Sequence, residues 1–229
     1  FKKFSPDSFS DGGKFFDPVA AVEHAHEMVE NGADIIDLGG ESTRPITWSE
    51  EPLSAVEEIQ RVVPVLERLL QEIKVPISID TYKAETARAA LEAGAHIIND
   101  IWGFQRDPKI AAVAAEYDVP VVLMHNQDGT EYQDLMGDLL SFLCNSIEIA
   151  LEAGVQPDQV IIDPGIGFGK DVKQNLIVMR RLRELRSLGK PVLLGTSRKS
   201  MIGKTLDLPA DQRLEGTMAT VVWGVAQGA

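Results

Sequence analysis

The chain has 229 residues, 44% of them hydrophobic, a net charge of -13 and one cysteine. That charge excludes nucleic acid and anionic membrane surfaces as natural partners, and no apolar run approaches the length of a membrane span. Cys144 has no second cysteine to pair with, which excludes an internal disulfide and points to a reducing, cytoplasmic setting. It falls at helical spacing within 142–150 and is expected in the core.

In chain order, FKKF at 1–4 leads into SPDSFSDGG, a stretch of turn chemistry with Phe9 exposed in its middle. Asp17-Pro18 then has the form of a helix start, Asp as N-cap and Pro in the first turn. Val22, Ala25, Met28 and Val29 carry that helix to a stop at Asn31-Gly32. ADIIDL at 33–38 reads as a strand ending in GGESTRP. An amphipathic helix over 54–73 follows, then strand 76–80, helix 83–93, strand 96–101, helix 108–117, strand 120–125 and helix 135–153. The stretch VIIDPGIGFGK at 160–170 begins as a buried strand and stops at Asp163, and Pro164 ends regular pairing. Glycines at 165, 167 and 169 allow a tight turn that a ligand can approach. Neither the spacing of a P-loop nor that of a dinucleotide fingerprint is present. Helix 173–188, strand 191–197 and helix 213–227 complete the pattern.

Alternating strands and helices with short links, and no linker or repeat, predict a parallel sheet covered by helices. At this length the expected architecture is an α/β (β/α)8 barrel in a single domain. The strand ends carry Asp37, Asp80, Asn99 with Asp100, His125 with Asn126, Asp163, and Ser197 with Arg198 and Lys199. In a barrel these ends surround one mouth, where active sites are built. Carboxylates and an amide there suit the edge of a flat heterocycle rich in N–H donors, such as a 2-amino-4-oxo pyrimidine ring. Arg44, Arg198 and Lys199, each beside small polar residues, suit a phosphate or carboxylate, and 197–200 reads as the opening of a helical turn. The four histidines offer no metal cluster, and there is no nucleophile elbow.

SPDSFSDGG, DLGGESTRP, SIDT, INDI, LMH, DPGIGFGK and GTSRKS resemble, in order, the motif set of the dihydropteroate synthases, pterin-binding enzymes of folate biosynthesis inhibited by sulfonamides. The resemblance implies condensation of 6-hydroxymethyl-7,8-dihydropterin diphosphate with p-aminobenzoate, giving dihydropteroate and pyrophosphate by a dissociative route. By motif, Asp80, Asn99 and Asp163 would hold the pterin, Lys199 would lie at its oxo and N5 side, and Met124 would pack on the ring. Gly195 falls among the substrate-binding positions. Thr43 and Arg44 would meet the diphosphate; Phe9, Pro45, Phe168, Lys199 and Ser200 would frame the aminobenzoate. Asp80, Lys199 and Arg44 are the expected catalytic groups. Magnesium is expected mainly on the substrate diphosphate, with no metal-ligating residue assigned.

Three departures from the family pattern stand out. Lys3, Phe4 and Ser5 replace Asn-Val-Thr, the first strand is barely represented by 1–5, and an Arg-x-His of the last strand would lie past Ala229. The expectation is therefore a single pterin-binding domain over 1–229, truncated at both ends. A non-catalytic pterin- or anion-binding relative is the alternative. A methyltetrahydrofolate methyltransferase domain would share the barrel without this set of loops. The last helices, with Trp223, either pack on a second subunit as a homodimer or cover the barrel.

Overall fold

The computed structural model describes residues 2–4, 18–41 and 53–229. Among the described residues six strands form one sheet: β1 (Lys2–Phe4), β2 (Ile36–Gly39), β3 (Ile77–Asp80), β4 (Ile97–Asp100), β5 (Val121–Met124) and β6 (Val160–Asp163). Every pair is parallel, and the order in space is the order in the chain. That order is the wall of a (β/α)8 barrel; a doubly wound sheet would reverse at a switch point. The three residues of β1 pair with Ile36, Asp37 and Leu38.

Residues 191–197, expected as a strand, form only one bridge, Ile162 to Val192. Ile162 N–H donates to the Pro191 carbonyl (3.0 Å) and Leu193 N–H to that of Ile162 (2.8 Å). Pairing ends there because the chain then turns, Lys199 N–H reaching back to the Thr196 carbonyl (3.2 Å).

The helices are α1 (Pro18–Glu30), α2 (Ala55–Glu72), α3 (Ala84–Ala93), α4 (Lys109–Glu116), α5 (Leu135–Ala153), α6 (Val172–Arg180), α7 (Ser200–Leu206) and α8 (Leu214–Gln227). Ser54 and Glu57 close a capping box on α2, which satisfies N–H groups that would otherwise be orphaned at its start. Gly94 and Gly154 end α3 and α5 in the left-handed region. The Asp17 cap lies outside the described residues.

The expected helix over 173–188 divides instead: α6 stops at Arg180, and a 3-10 segment, Leu182–Leu188, continues. The buried leucines 182 and 185 are three apart, the period of a 3-10 turn, so the tighter winding keeps both in the core. Cys144 is exposed, against the expectation. The buried stripe of α5 runs through Leu139, Leu143, Ile147 and Ala150, and Leu143 takes the inward place beside it.

Strand residues alternate between two environments. Ile36, Leu38, Ile77, Ile79, Ile98, Val121, Leu123, Val160 and Ile162 join the helices in one apolar core. Asp37, Asp80, Asn99, Met124 and Asp163 have the opposite parity and belong to the inner face. Trp223 on α8 donates its indole N–H to the Met179 carbonyl (2.8 Å), while Leu214, Met218, Val222 and Val225 remain exposed. Among the described residues no helix is long and apolar enough to cross a membrane.

Candidate active site at the strand ends

On one side of the inner face, Asp80 and Asn99 are register partners across β3 and β4. Asn99 Nδ2 donates to Asp37 Oδ2 at 3.0 Å. Asp37 and Asp80 are buried, whereas Asn99 is only partly so. Gly39 is opposite Asp80, and a methyl group there would lie 3.5 Å from Asp80 Oδ2.

On the other side, Asp163 ends β6 beside Met124 of β5. Its Oδ1 accepts the Gly165 N–H at 2.7 Å. A methyl on Gly195 would lie 3.9 Å from Asp163 Oδ2 and 3.7 Å from Lys199 Nζ, so carboxylate and ammonium flank one small space. Burial pushes the Asp163 carboxyl upward; Lys199, the Gly165 N–H and Lys170 oppose it. The Lys199 stem crosses Gly167, its Nζ donates to the Ile166 carbonyl, and its charge lies 4.9 Å from the Phe168 ring centre. Ile101, Trp102 and Met124 form a separate apolar cluster with Tyr82 and Phe168 against it. The structure thus brings Met124, Asp163, Phe168, Gly195 and Lys199 together. Ser200 is exposed at the first residue of α7. Phe9, Thr43, Arg44 and Pro45 lie outside the described residues.

Two members of the expected ring turn away from it. Asp100 has the helix-facing parity and is fully buried. It accepts the N–H groups of Trp102 (2.7 Å) and Phe104 (2.9 Å), and burial raises its pKa to about 7. His125 packs edge-on to Phe142 of α5, and burial, with Lys170 beside it, lowers its pKa to about 3. Arg198 is exposed, its N–H donating to Thr217 Oγ1 at 3.0 Å. Asn126 buries an amide that finds no hydrogen-bond partner among the described residues.

Three features escaped the sequence reading. Lys170 Nζ is buried against His125 Nδ1, and Asn175 Oδ1 accepts the Gly167 N–H at 2.7 Å. Lys83 Nζ bridges Glu41 (2.6 Å) and the buried Glu58 (2.9 Å) behind β2 and β3. Lys170 was visible as a cation ending a glycine-rich turn after a strand. Asn175 and Glu58 sit in helices where spacing gives no signal.

A chain-ordered parallel sheet with carboxylates, an amide and a lysine at its carboxyl edge, over aromatic and methionine side chains, defines a barrel-type small-molecule site. Residues 3–229 match the family described as Pterin binding enzyme, and the chain belongs to that family. It is 57% identical over 226 residues to a dihydropteroate synthase of Clostridium beijerinckii, covering 99% of this chain and 83% of that one. A dihydropteroate synthase structure from Clostridium difficile, solved in the presence of pteroic acid, superposes with a TM-score of 0.93 at 52% identity, covering 99% and 86% of the two chains. The Xanthomonas albilineans enzyme with 4-aminobenzoic acid gives 0.91 at 41% identity, covering 99% and 82%.

Proposed function

We propose that this chain condenses 6-hydroxymethyl-7,8-dihydropterin diphosphate with p-aminobenzoate to give 7,8-dihydropteroate and pyrophosphate. The observation that carries the reading is the placement of Asp163 Oδ2 and Lys199 Nζ about the Gly195 position, with Met124 and Phe168 packed nearby. Asp163 already spends one oxygen on the Gly165 N–H, leaving Oδ2 to accept from the amino and ring N–H groups of the pterin. Those donors favour the charged carboxylate and offset its burial. Lys199 donates to the oxo and N5 side, Asn99 adds an amide on the opposite side, and Met124 packs on the ring.

In the reaction, the bond between the pterin methylene carbon and the diphosphate oxygen breaks, and its electron pair leaves with pyrophosphate. The cation left behind is conjugated with the pterin, and Asp80 stabilises it electrostatically. The aniline nitrogen of p-aminobenzoate then forms the C–N bond and releases a proton to solvent. Thr43 and Arg44 receive the diphosphate, and Phe9, Pro45, Phe168, Lys199 and Ser200 frame the aminobenzoate. Among the described residues no group of three His, Cys, Asp or Glu could hold a metal ion. Magnesium held by the substrate diphosphate would supply neutralisation of its negative charge. We place the reaction in the cytoplasm and in one domain spanning 1–229, supported by the lone cysteine and the continuous sheet.

The chain incubated with both substrates should release pyrophosphate and dihydropteroate in equal amounts, and Asp163→Ala should abolish both. Intact pterin binding with no product would favour a binding protein over a synthase.

A further inference from the structure

Lys170 is only 8% exposed, and its ammonium meets three acceptors: His125 Nδ1 at 2.8 Å, the Phe168 carbonyl at 3.0 Å and the Gly165 carbonyl at 3.1 Å. Three donors against three acceptors is full satisfaction for an ammonium, which is what burial of one requires. Imidazole Nδ1 can accept only while His125 is neutral, and His125, with its pKa lowered to about 3, remains so across the physiological range. Burial and the neighbouring Lys199 lower the pKa of Lys170 to about 7, while Asp163 opposes them.

The two carbonyls held by Lys170 bracket the turn, and that turn touches both polar groups of the proposed pterin site. Gly165 gives its N–H to Asp163 Oδ1, the Ile166 carbonyl takes the Lys199 ammonium, and the Phe168 ring lies against that same charge. Glycines 165, 167 and 169 all have positive φ, so the turn's own backbone gives it little preference for one shape. Other clamps exist: Asn175 Oδ1 takes the Gly167 N–H, and Tyr132 gives its hydroxyl proton to the Gly169 carbonyl at 2.7 Å. They fix the far half of the turn, and neither reaches the Gly165 carbonyl.

We propose that Lys170 is a positioning residue: from beneath, it sets the peptide planes of 165–168 so that Asp163 and Lys199 face the pterin in register. It touches no substrate itself, and the proposal rests on the reading of this site as the pterin pocket.

The test compares Lys170→Met, which removes every donor, with Lys170→Gln, which keeps two N–H donors without charge. Pterin affinity is measured by calorimetry using 6-hydroxymethyl-7,8-dihydropterin, and folding by thermal melting. Tenfold or greater weakening is expected for Lys170→Met, with a smaller loss for Lys170→Gln. In steady state the KM for the pterin diphosphate should rise more than kcat falls. The decisive readout is a double-mutant cycle. Because Lys170 acts through Lys199 and Asp163, adding Lys170→Met to Lys199→Met should cost less than it costs in the wild type. Full additivity would overturn the positioning role, as would unchanged affinity in Lys170→Met. If Lys170→Met fails to fold, unchanged affinity in Lys170→Gln overturns it equally. A wild-type chain that binds no pterin refutes the pocket itself; a wild type that binds beside a Lys170→Met that binds equally refutes only the role of Lys170.

Discussion

Replacing Gly195 by Ala separates the fold from the site more cleanly than any other single change. Gly195 does not occupy the left-handed region, so an L-residue fits its backbone. The new methyl would meet Lys199 Nζ at 3.7 Å and Asp163 Oδ2 at 3.9 Å, both ordinary contacts. The folded protein has nothing to rearrange, and restricting the unfolded chain favours the folded state by about 0.4–1 kcal/mol. The ligand is affected differently. A ring nitrogen hydrogen-bonded to Asp163 Oδ2 lies about 2.9 Å from it, and a ring carbon needs about 3.5–4.0 Å from the methyl. A ring lying across the Gly195 position between carboxylate and ammonium would have to shift to make room for the methyl. Overpacking of this kind costs about 1–3 kcal/mol, or roughly fivefold to 150-fold in affinity. Calorimetric titration with pterin and a thermal melt on the same preparation read the two quantities separately. Pterin affinity within twofold of wild type would refute the placement of the ring between Asp163 and Lys199.

Other substitutions probe the same face. Asp163→Asn sets an amide N–H against the pterin donors or against the Gly165 N–H, leaving buried groups unpaired at about 1–3 kcal/mol each; calorimetry should show at least tenfold weaker pterin binding. Gly165→Ala places a methyl 2.0 Å from the His125 carbonyl oxygen at φ +68, so a large fall in melting temperature is expected, and a wild-type melt would show the turn to be wrongly placed. The Asp100 carboxyl has its pKa raised to about 7 by burial, so its contribution to stability is full below the unfolded value of about 3.9 and is lost as pH rises through the folded value. Urea unfolding from about pH 4 to about pH 8 should therefore show a steeper loss in wild type than in Asp100→Asn.

The ring of polar strand ends was legible because each apolar run stops at a residue too costly to bury alone. What went unread was which side of the sheet each residue faces, although alternation contains that information. Counting by twos from the apolar residues of β4 puts Ile98 and Asp100 on one face and Asn99 on the other. The same count on β5 puts Val121, Leu123 and His125 with the helices and Met124 with the site. Adjacent strand-end residues such as Asn99 and Asp100 thus belong to two populations, not to one cluster. The expected strand 191–197 fails for a related reason: its apolar letters are real, but one bridge and two hydrogen bonds to Ile162 are too few to hold seven residues extended once the chain must turn to deliver Lys199. Lys170 is visible as a cation after the glycine-rich turn, but the contacts that make it and Asn175 clamps are not legible, since each depends on a backbone carbonyl or N–H in a turn whose shape three glycines leave open.

Parity makes a prediction of its own at Asn99 and Asp100, neighbours in sequence on opposite faces. Asp100→Ala removes the acceptor for two buried N–H groups, those of Trp102 and Phe104, and leaves both unpaired at about 1–3 kcal/mol each. Neither N–H belongs to the site, so pterin affinity should be kept by whatever fraction remains folded. Asn99→Ala removes one hydrogen bond, to Asp37 Oδ2, at a partly exposed position where water can take the vacated place. Its stability cost should be nearer 1 kcal/mol, typical of a single hydrogen bond, while the pterin loses an amide partner. Melting temperatures and pterin affinities of the two variants should therefore cross: Asp100→Ala less stable with near-normal affinity, Asn99→Ala more stable with weakened affinity. The reverse pattern would place Asp100 in the site and Asn99 in the scaffold. The register of β4 against β3 would then be off by one residue, because a single-residue slip exchanges the two faces of a strand.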